Sequence, residues 1–241
     1  MDRRRITAAL LSALVAAAVA LGLVERSPRV EVEFPVSSPA TRGFGAPCDE
    51  ADFTQVTIFG RERTWNRGAV LPLRAAVALA RAWSDYVPRE VQTYNCRKIA
   101  GSSTWSHHAW ALALDFDPAD NAYGRDPAGT LVGSHPEFVR AWERVGFVWG
   151  GRWSTPDAMH FEWDGPRMRN EANVPPGERG PEVKRLEGLL AEVGLPVRRD
   201  GRYEGKDLIS VAAFQKRNGI VAVERVVVGP VTWTLLQLES V

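Results

Sequence analysis

The strongest structural signal in this chain is the stretch Ser106-His107-His108-Ala109-Trp110-Ala111-Leu112-Ala113-Leu114-Asp115. Over residues 111–117, small or acidic side chains alternate with large apolar ones, which is the period of a half-buried strand. Asp115 then lies on the same strand face as two alanines, whose small side chains leave room beside the carboxylate. We therefore expect a strand with one apolar face and one face that carries an acid.

A second segment, Asp157-Ala158-Met159-His160-Phe161-Glu162, shows the same alternation. Large apolar residues at positions 159, 161 and 163 face one way, so His160 and Glu162 share the opposite face of the strand. Two such strands side by side bring His108, Asp115 and His160 together. The sequence therefore predicts one site assembled from two distant segments.

Two imidazoles and one carboxylate form a ligand set that zinc accepts in catalytic sites, where a fourth position is left for water or substrate. Bound zinc lowers the pKa of that water to about 7 and polarises a carbonyl. Hydrolysis also needs a base that does not bind the metal, and Asp157 lies in a loop three residues before His160, where it can act as that base. We expect His107 to be a neighbour of the site, and His135 to belong to the start of a helix that begins at Pro136.

Residues 94–118 resemble the signature of the zinc D-alanyl-D-alanine carboxypeptidase and L-alanyl-D-glutamate endopeptidase family, whose members cut peptidoglycan stem peptides. The two family motifs fall, in the family order, on Ser106, His108, Ala111, Ala113 and Asp115 and on Asp157 and His160. The resemblance implies an antiparallel zinc peptidase domain in which two histidines and one aspartate hold the metal. The run at residues 146–153 also resembles the endopeptidase branch of this family.

The same resemblance implies roles for residues around the metal ligands. Arg97 matches the family arginine that binds and polarises substrate, and a fixed guanidinium suits a carboxylate or a developing negative charge. The alternative for Arg97 is a surface salt bridge, which would contribute little. Ser106 is expected to support substrate binding. Glu162 shares a strand face with His160, so it either orients that ligand or is simply solvated.

Ala111 departs from the family pattern, because it stands where the family usually has glycine. If the position needs a positive φ, alanine is strained there, whereas if it needs only a small side chain, alanine serves equally well. The strand alternation runs through this position, so we expect Ala111 to have an extended backbone.

The N-terminal region predicts the compartment. Arginines at positions 3–5 precede an uncharged run rich in alanine and leucine over residues 6–24. Residues 1–24 are therefore either a signal peptide or a membrane anchor, and in both cases the rest of the chain is exported and associated with the cell wall. Contact with a membrane is expected only through this segment, if it is not cleaved. Residues 25–47 have the composition of a linker.

The chain has two cysteines, a number that suits an oxidising compartment. Cys48 and Cys96 either form a disulfide that holds the N-terminal edge of the domain near Arg97, or they are buried free thiols.

The charges of the chain are nearly balanced, with 30 basic and 29 acidic residues. Proteins that bind nucleic acid through electrostatic attraction normally carry a basic patch, so we expect no nucleic-acid partner.

The exported part of the chain divides into two predicted domains. Residues 48–168 are expected to form the zinc peptidase domain, and residues 169–180, which are polar and rich in proline, a second linker. Residues 181–241 contain three short runs with apolar side chains at helical spacing. This last region resembles the peptidoglycan-binding module found beside many wall hydrolases, and the alternative is a small packing or interaction domain.

This module also departs from its family pattern. Glu187 stands where such modules have glutamine, and Val223-Glu224-Arg225-Val226 replaces an expected Asp-Gly turn. We expect the helices to form in spite of these changes, whereas the affinity for peptidoglycan stays open.

The fold class expected from these elements is α+β, with a small antiparallel sheet, flanking helices and a C-terminal three-helix domain. The predicted function is zinc-dependent hydrolysis of an amide bond in peptidoglycan stem peptides, of the L-Ala-D-Glu endopeptidase type. Two alternatives remain open. A D-Ala-D-Ala carboxypeptidase would use the same zinc core, and a wall-binding scaffold would have the same fold without activity.

Overall fold

The computed structural model describes residues 39–240, all of which belong to one compact unit. The predicted signal peptide or anchor, residues 1–24, and most of the predicted linker, residues 25–47, lie outside the described part of the chain. Among residues 39–240, no helix combines the length and the apolar character that a membrane span requires.

The described chain mixes helices with small antiparallel sheets, as expected for the α+β class. In chain order the strands and helices are β1 (Phe53–Ile58), β2 (Arg61–Asn66), α1 (Val70–Trp83), β3 (Val91–Gln92), β4 (Ala113–Phe116), α2 (Pro136–Arg144), β5 (Phe147–Trp149), β6 (His160–Trp163), α3 (Pro181–Glu192), α4 (Lys206–Arg217) and α5 (Pro230–Glu239).

Two antiparallel sheets form the sheet domain, and one of them positions the residues of the two motifs. Strands β1 and β2 form a hairpin, and the other four strands form a sheet in the order β3-β4-β6-β5. In the β4–β6 pair, Asp115 lies directly opposite His160 and Ala113 opposite Glu162. Directly opposed residues in an antiparallel pair bring their side chains together on one face, so the register alone makes the two motifs neighbours.

The other face of this sheet packs against an aromatic core. Phe116 of β4 contacts Trp142 of α2 and Phe161 of β6, with ring centroids 5.2 and 5.6 Å apart. Phe138 of α2 packs edge to face on Phe116 at 5.1 Å. Burial of each such ring contributes about 1.5–3 kcal/mol, so the core holds the strand register that the site requires.

The segment before β4 differs from the sequence prediction. A 3₁₀ turn covers His107–Trp110 and ends at Ala111, whose φ of 51° and ψ of 43° are left-handed. The expectation of an extended Ala111 was therefore wrong, and β4 begins only at Ala113. The physical reason is that the chain must reverse between the turn and the strand, and the Ala111 N–H closes the turn on the His108 carbonyl at 3.0 Å.

Residues 39–47, the C-terminal end of the predicted linker, pack against this turn. Phe44 is buried, and the indole of Trp110 donates to the Gly45 carbonyl at 3.0 Å. The Cys48 amide donates to the carbonyl of Ala109 at 2.7 Å. A disulfide bond joins Cys48 to Cys96.

The C-terminal helices share a core with the sheet domain. Helix α5 packs on α1, and the buried apolar side chains of both regions form one continuous cluster. The predicted linker at 169–180 is part of this packing. Val174 forms a two-way backbone bridge with Val228 at 2.9 Å, and the Trp233 indole donates to the Ala172 carbonyl at 2.9 Å. The region 181–241 is thus joined to the sheet domain by buried contacts.

Two buried glutamates explain how the C-terminal helices form in spite of the altered residues. Glu187 accepts hydrogen bonds from the amides of Asp200 and Gly201 at 3.0 and 2.9 Å. Glu224 accepts from Val231 N at 2.8 Å and Thr232 N at 2.9 Å, in the first turn of α5. A carboxylate is stabilised there because it pairs with free amides and with the positive end of the helix dipole.

Candidate metal centre

The 3₁₀ turn His107–Trp110 presents the first histidine of the site. Ser106 caps this turn, since its Oγ accepts a hydrogen bond from His108 N at 3.3 Å. Ser106 is itself buried, and its own amide donates to the carbonyl of Arg97 at 3.2 Å. The observed role of Ser106 is therefore to hold the turn, and it contributes no side chain to the groove described below.

Three buried side chains converge at this point. His108 Nε2 lies 3.2 Å from one carboxylate oxygen of Asp115, and His160 Nδ1 lies 2.9 Å from the other. The two imidazole nitrogens are 3.3 Å apart. These three residues form a group whose donor atoms could hold one metal ion. The structure thus brings together the three residues that the sequence analysis assigned as ligands.

The second nitrogen of each imidazole has an oxygen partner. His108 Nδ1 faces the backbone carbonyl of Thr93, and His160 Nε2 lies 3.1 Å from Glu162 Oε2. An oxygen acceptor behind an imidazole holds the proton on that nitrogen and leaves the lone pair on the other. With neutral rings, His108 Nε2 and His160 Nδ1 would then present lone pairs on the side of Asp115, where a metal ion could accept them, whereas without a metal these nitrogens donate to Asp115.

Glu162 connects the site to a further polar chain. Its Oε2 also lies 3.0 Å from Nδ1 of His107, which is the neighbour rather than a donor in the cluster. His107 Nε2 is 3.1 Å from the guanidinium of Arg42, and Arg42 in turn forms an ion pair with Asp164 at 2.8 Å. Glu162 is thus held on both sides and is not merely solvated.

The ionisation of the cluster follows from its hydrogen bonds. Burial alone would favour a neutral Asp115, but the hydrogen bonds from His108 and His160 outweigh it and hold the pKa of Asp115 well below its usual range. Burial likewise opposes charge on His160, yet its bonds to Asp115 and Glu162 raise the pKa of His160 to about 10. For Glu162, the bonds from His107 and His160 overcome burial and lower the pKa. Without a metal, the site is a network of alternating charges.

Asp157 lies beside this network with an unpaired oxygen. Its Oδ1 is buried and has no hydrogen-bond partner. Burial raises the pKa of Asp157, and Asp115 adds to this effect, whereas His160, His108 and Arg97 oppose it. A buried carboxylate oxygen without a partner is costly and therefore points to a role in chemistry.

Gly150 explains how Asp157 comes so close to His160. The amide of Asp157 donates to the Gly150 carbonyl at 2.9 Å. A Cβ atom at position 150 would lie 2.7 Å from the Asp157 carbonyl oxygen and 3.2 Å from the Cβ of His160. Any side chain there would push the loop away from β6. Trp153 lies in the same loop, and its ring centroid is 5.2 Å from that of His160.

Arg97 lies at a groove that opens onto the cluster. The groove has a volume of about 590 Å³. Its walls come from the β1–β2 hairpin, from β3 and the segment after it, and from the cluster, and they include Glu62, Arg63, Glu90, Tyr94, Arg97, His108 and Asp115. Arg97 is exposed and has no ion-pair partner among residues 39–240. The surface salt bridge considered as its alternative is absent from this part of the chain.

The backbone that carries Arg97 is held from two sides. The disulfide at Cys96 ties it to the N-terminal edge of the domain, and the Asn95 amide donates to the His108 carbonyl at 3.2 Å. A short antiparallel bridge between Lys98 and Trp105 follows directly. The loop therefore presents a free guanidinium from a fixed backbone.

Several functional contacts were not found by sequence reasoning. The sequence analysis placed Arg42 in a linker and treated His107 only as a neighbour, although both lie in the chain that supports Glu162. Gly150 was seen only as part of an aromatic and glycine-rich run. Two sequence signals point to these residues. The adjacent pair His107-His108 indicates a second histidine near the site, and the pair Gly150-Gly151 indicates a position where a side chain does not fit.

Comparison with known proteins agrees with this geometry in one respect. Residues 100–163 match the family model described as D-alanyl-D-alanine carboxypeptidase. The matched stretch contains the three clustered residues and Asp157, whereas Arg97 and the region 181–241 lie outside it. No curated protein and no solved structure matches the chain. The match supports a hydrolase of a metallopeptidase family for this part of the chain.

Proposed function

We propose that the protein is an exported zinc peptidase that hydrolyses an amide bond in peptidoglycan stem peptides, as an L-Ala-D-Glu-type endopeptidase. The observation that carries the proposal is the pairing of two features in the sheet domain. Three buried donor atoms converge, and beside them lies Asp157, which is not part of the donor set and whose buried Oδ1 has no hydrogen-bond partner.

The donor set fits zinc. A tetrahedral zinc ion with bonds of about 2.0–2.1 Å separates its ligand atoms by roughly 3.3–3.4 Å. The three separations between His108 Nε2, His160 Nδ1 and the Asp115 oxygens are 2.9, 3.2 and 3.3 Å. Two imidazoles also favour zinc over calcium or magnesium, which prefer oxygen donors. When bound, zinc supplies an acidified water and polarises the carbonyl of the scissile amide.

Asp157 has the properties of a general base that later acts as an acid. Its raised pKa makes the carboxylate a better proton acceptor than an ordinary aspartate near neutral pH. The free Oδ1 can take a proton from the attacking water and return it to the leaving amine. Because Gly150 holds the loop close, Asp157 reaches the cluster without displacing a ligand.

Arg97 and the groove supply substrate binding. The guanidinium is unpaired among the described residues and can bind a substrate carboxylate or a developing oxyanion. Ser106 supports substrate binding indirectly. Its amide donates to the Arg97 carbonyl, and its Oγ accepts a hydrogen bond from His108 N. Stem peptides carry carboxylates and an amine, and the groove walls include both acidic and basic side chains.

The groove has room for the extended substrate of an endopeptidase. The space runs from the cluster along β2 and β3, which leaves room for substrate residues beyond the scissile bond. The carboxypeptidase alternative remains as the second candidate, because Arg97 could equally bind the terminal carboxylate of a D-Ala-D-Ala substrate.

The proposed partner is peptidoglycan, with no nucleic acid, and a membrane is contacted only through residues 1–24 if that segment is retained. The proposed location is outside the cytoplasm, at the cell wall. The region 181–241 is proposed to be a peptidoglycan-binding-like domain that packs on the peptidase, and the inactive scaffold is the alternative for the whole protein.

The proposal is tested with purified, zinc-loaded protein and defined muropeptides, with and without chelator, with products identified by mass spectrometry. Release of the stem after L-alanine is expected, and it must disappear with chelator. Loss of terminal D-alanine alone would replace the endopeptidase with the carboxypeptidase. Binding to sacculi without any chelator-sensitive product would support the scaffold and overturn the peptidase.

A further inference from the structure

A second group of acidic side chains lies in the C-terminal helices, outside the family match. Glu187 belongs to α3, Asp200 to the loop after it, and Asp207 to the first turn of α4. One carboxylate oxygen from each of the three lies within 4.8 Å of the others. Three carboxylates this close repel one another strongly unless positive charge lies between them.

Asp207 gives independent evidence for a missing ligand. Its side chain is fully buried, and its Oδ1 accepts a hydrogen bond from Arg198 N at 3.0 Å. The other oxygen, Oδ2, is buried without any hydrogen-bond partner. A buried carboxylate oxygen with no donor costs free energy that a native fold normally avoids, so a group that accepts its lone pairs is expected beside it.

The charged groups around the cluster do not neutralise it. The only ion pair to the cluster within residues 39–240 joins Arg198 Nε to Asp200 Oδ2 at 3.5 Å, and the Arg198 side chain is half exposed. Lys184 passes over Gly201 but has no ion pair with the three acids in this part of the chain. The amides of Asp200 and Gly201 bond to Glu187, and the α4 dipole contributes roughly half a positive charge at Asp207. These groups offset only part of the charge that three ionised carboxylates would carry.

We propose that Glu187, Asp200 and Asp207 bind a hard divalent cation, with calcium as the preferred ion. All three donors are carboxylate oxygens, which calcium and magnesium prefer and zinc does not require. The donors come from a helix, a loop and a second helix, an irregular arrangement that suits the flexible coordination of calcium better than the strict octahedron of magnesium. Asp200 is exposed, so water can complete the shell.

Such an ion would act as a structural clamp. It would tie the end of the α3–α4 connection to both helices, in a region where the chain has several residues without regular structure between Glu192 and Lys206. This role does not depend on the proposed peptidase activity, because the cluster lies apart from the donor set of the sheet domain.

The test uses the full chain loaded with zinc, so that the sheet-domain site is occupied. Calcium chloride and magnesium chloride are titrated by calorimetry, and the melting temperature is measured in each. Calcium at about a hundredfold above its dissociation constant is expected to raise Tm by about 5 °C, with a weaker effect of magnesium. Asp207→Asn keeps the shape of the side chain and is expected to lose most of the calcium shift.

Two further variants make the outcome decisive. Asp200→Asn changes an exposed residue, so the variant is expected to fold normally. It is expected to weaken calcium binding at least tenfold. Asp126→Asn changes an exposed cap outside the cluster and is expected to leave calcium binding unchanged. Absence of any calcium heat or shift in the unaltered protein would overturn the proposal. So would a calcium shift that persists in both cluster variants, or one that disappears in His160→Ala.

Discussion

Buried carboxylates are used differently at the candidate metal centre and at the start of α5. In the sheet domain, Asp115 and Glu162 face imidazoles, and Asp157 has an oxygen with no partner at all. In the C-terminal helices, the carboxylate oxygens of Glu224 accept hydrogen bonds from the backbone amides at the start of α5. The contrast separates two functions of a buried acid. A carboxylate that is satisfied by backbone amides stabilises a fold, whereas one that faces titratable side chains, or nothing, is available for chemistry.

The largest expected effect comes from removing one donor. His160→Ala is expected to abolish stoichiometric metal binding and to reduce activity by about a thousandfold or more, because two remaining donors cannot hold zinc tightly. Metal content by mass spectrometry and turnover of a muropeptide measure the two losses.

His135→Ala is the matched control, since His135 lies at the start of α2 and stacks on Tyr86 away from the cluster. It should keep its metal. If His160→Ala retained full metal content, the assignment of the three donors would be wrong.

The next effect separates the base from the donors. Asp157→Asn is expected to keep the metal but to lower kcat by about 10²–10⁴-fold, because the amide cannot accept the proton. Metal content and kcat are measured together, with Asp126→Asn as control. Normal turnover by Asp157→Asn would remove Asp157 from the mechanism.

A pair of glutamate variants tests the contrast between the metal centre and the start of α5 directly. Glu224→Ala is expected to lower the free energy of unfolding by about 3 kcal/mol, since it leaves amides of α5 without a partner, and to leave zinc affinity unchanged. Glu162→Gln is expected to weaken zinc binding by about 10–100-fold with a smaller change in stability. Denaturant unfolding and zinc titration measure both quantities in both variants, and the reverse pattern would contradict the division of roles.

The pH dependence of metal binding follows from His160. Its pKa of about 10 lies above the ordinary value, so the protonated ring stabilises the metal-free fold fully below about pH 6.5, and this stabilisation is lost as pH rises through 10. Zinc needs the neutral ring. Zinc binding at pH 7 is therefore expected to release about one proton, and its affinity should rise about tenfold per pH unit towards pH 10.

Calorimetry in two buffers with different ionisation enthalpies counts the released proton. An affinity that stayed constant from pH 6 to 9 would mean that His160 is already neutral in the metal-free protein.

The smallest effect concerns the strained turn. Ala111→Gly is expected to raise the free energy of unfolding by about 0.5–1 kcal/mol, because glycine adopts the left-handed conformation without strain. Ala109→Gly, in the same turn but without a positive φ, should instead destabilise the protein by a similar amount. Denaturant midpoints compare the two, and equal destabilisation by both would show that Ala111 is not strained.

Local patterns accounted for much of the site. The alternation in the two motif segments predicted the strand faces that carry Asp115 and His160, whereas His108 reaches them from the 3₁₀ turn before β4. The helix α2 and the three C-terminal helices also lie where apolar spacing and proline indicated. Strand β2 was not predicted, because its charged residues pair with β1 on an exposed surface and leave little periodicity.

The sequence by itself indicated which side chains share a strand face, the place of Asp157 in the loop before His160 and the mixed fold class, because each depends on neighbours within a few residues. Tertiary structure alone decided the strand register that sets Asp115 opposite His160, the left-handed turn at Ala111 and the unpaired oxygen of Asp157. It also decided that α5 packs on α1, so that the two predicted domains share one core. These features depend on contacts between segments far apart in the chain, and a local pattern carries no information about which distant partner fills a surface or leaves an oxygen free.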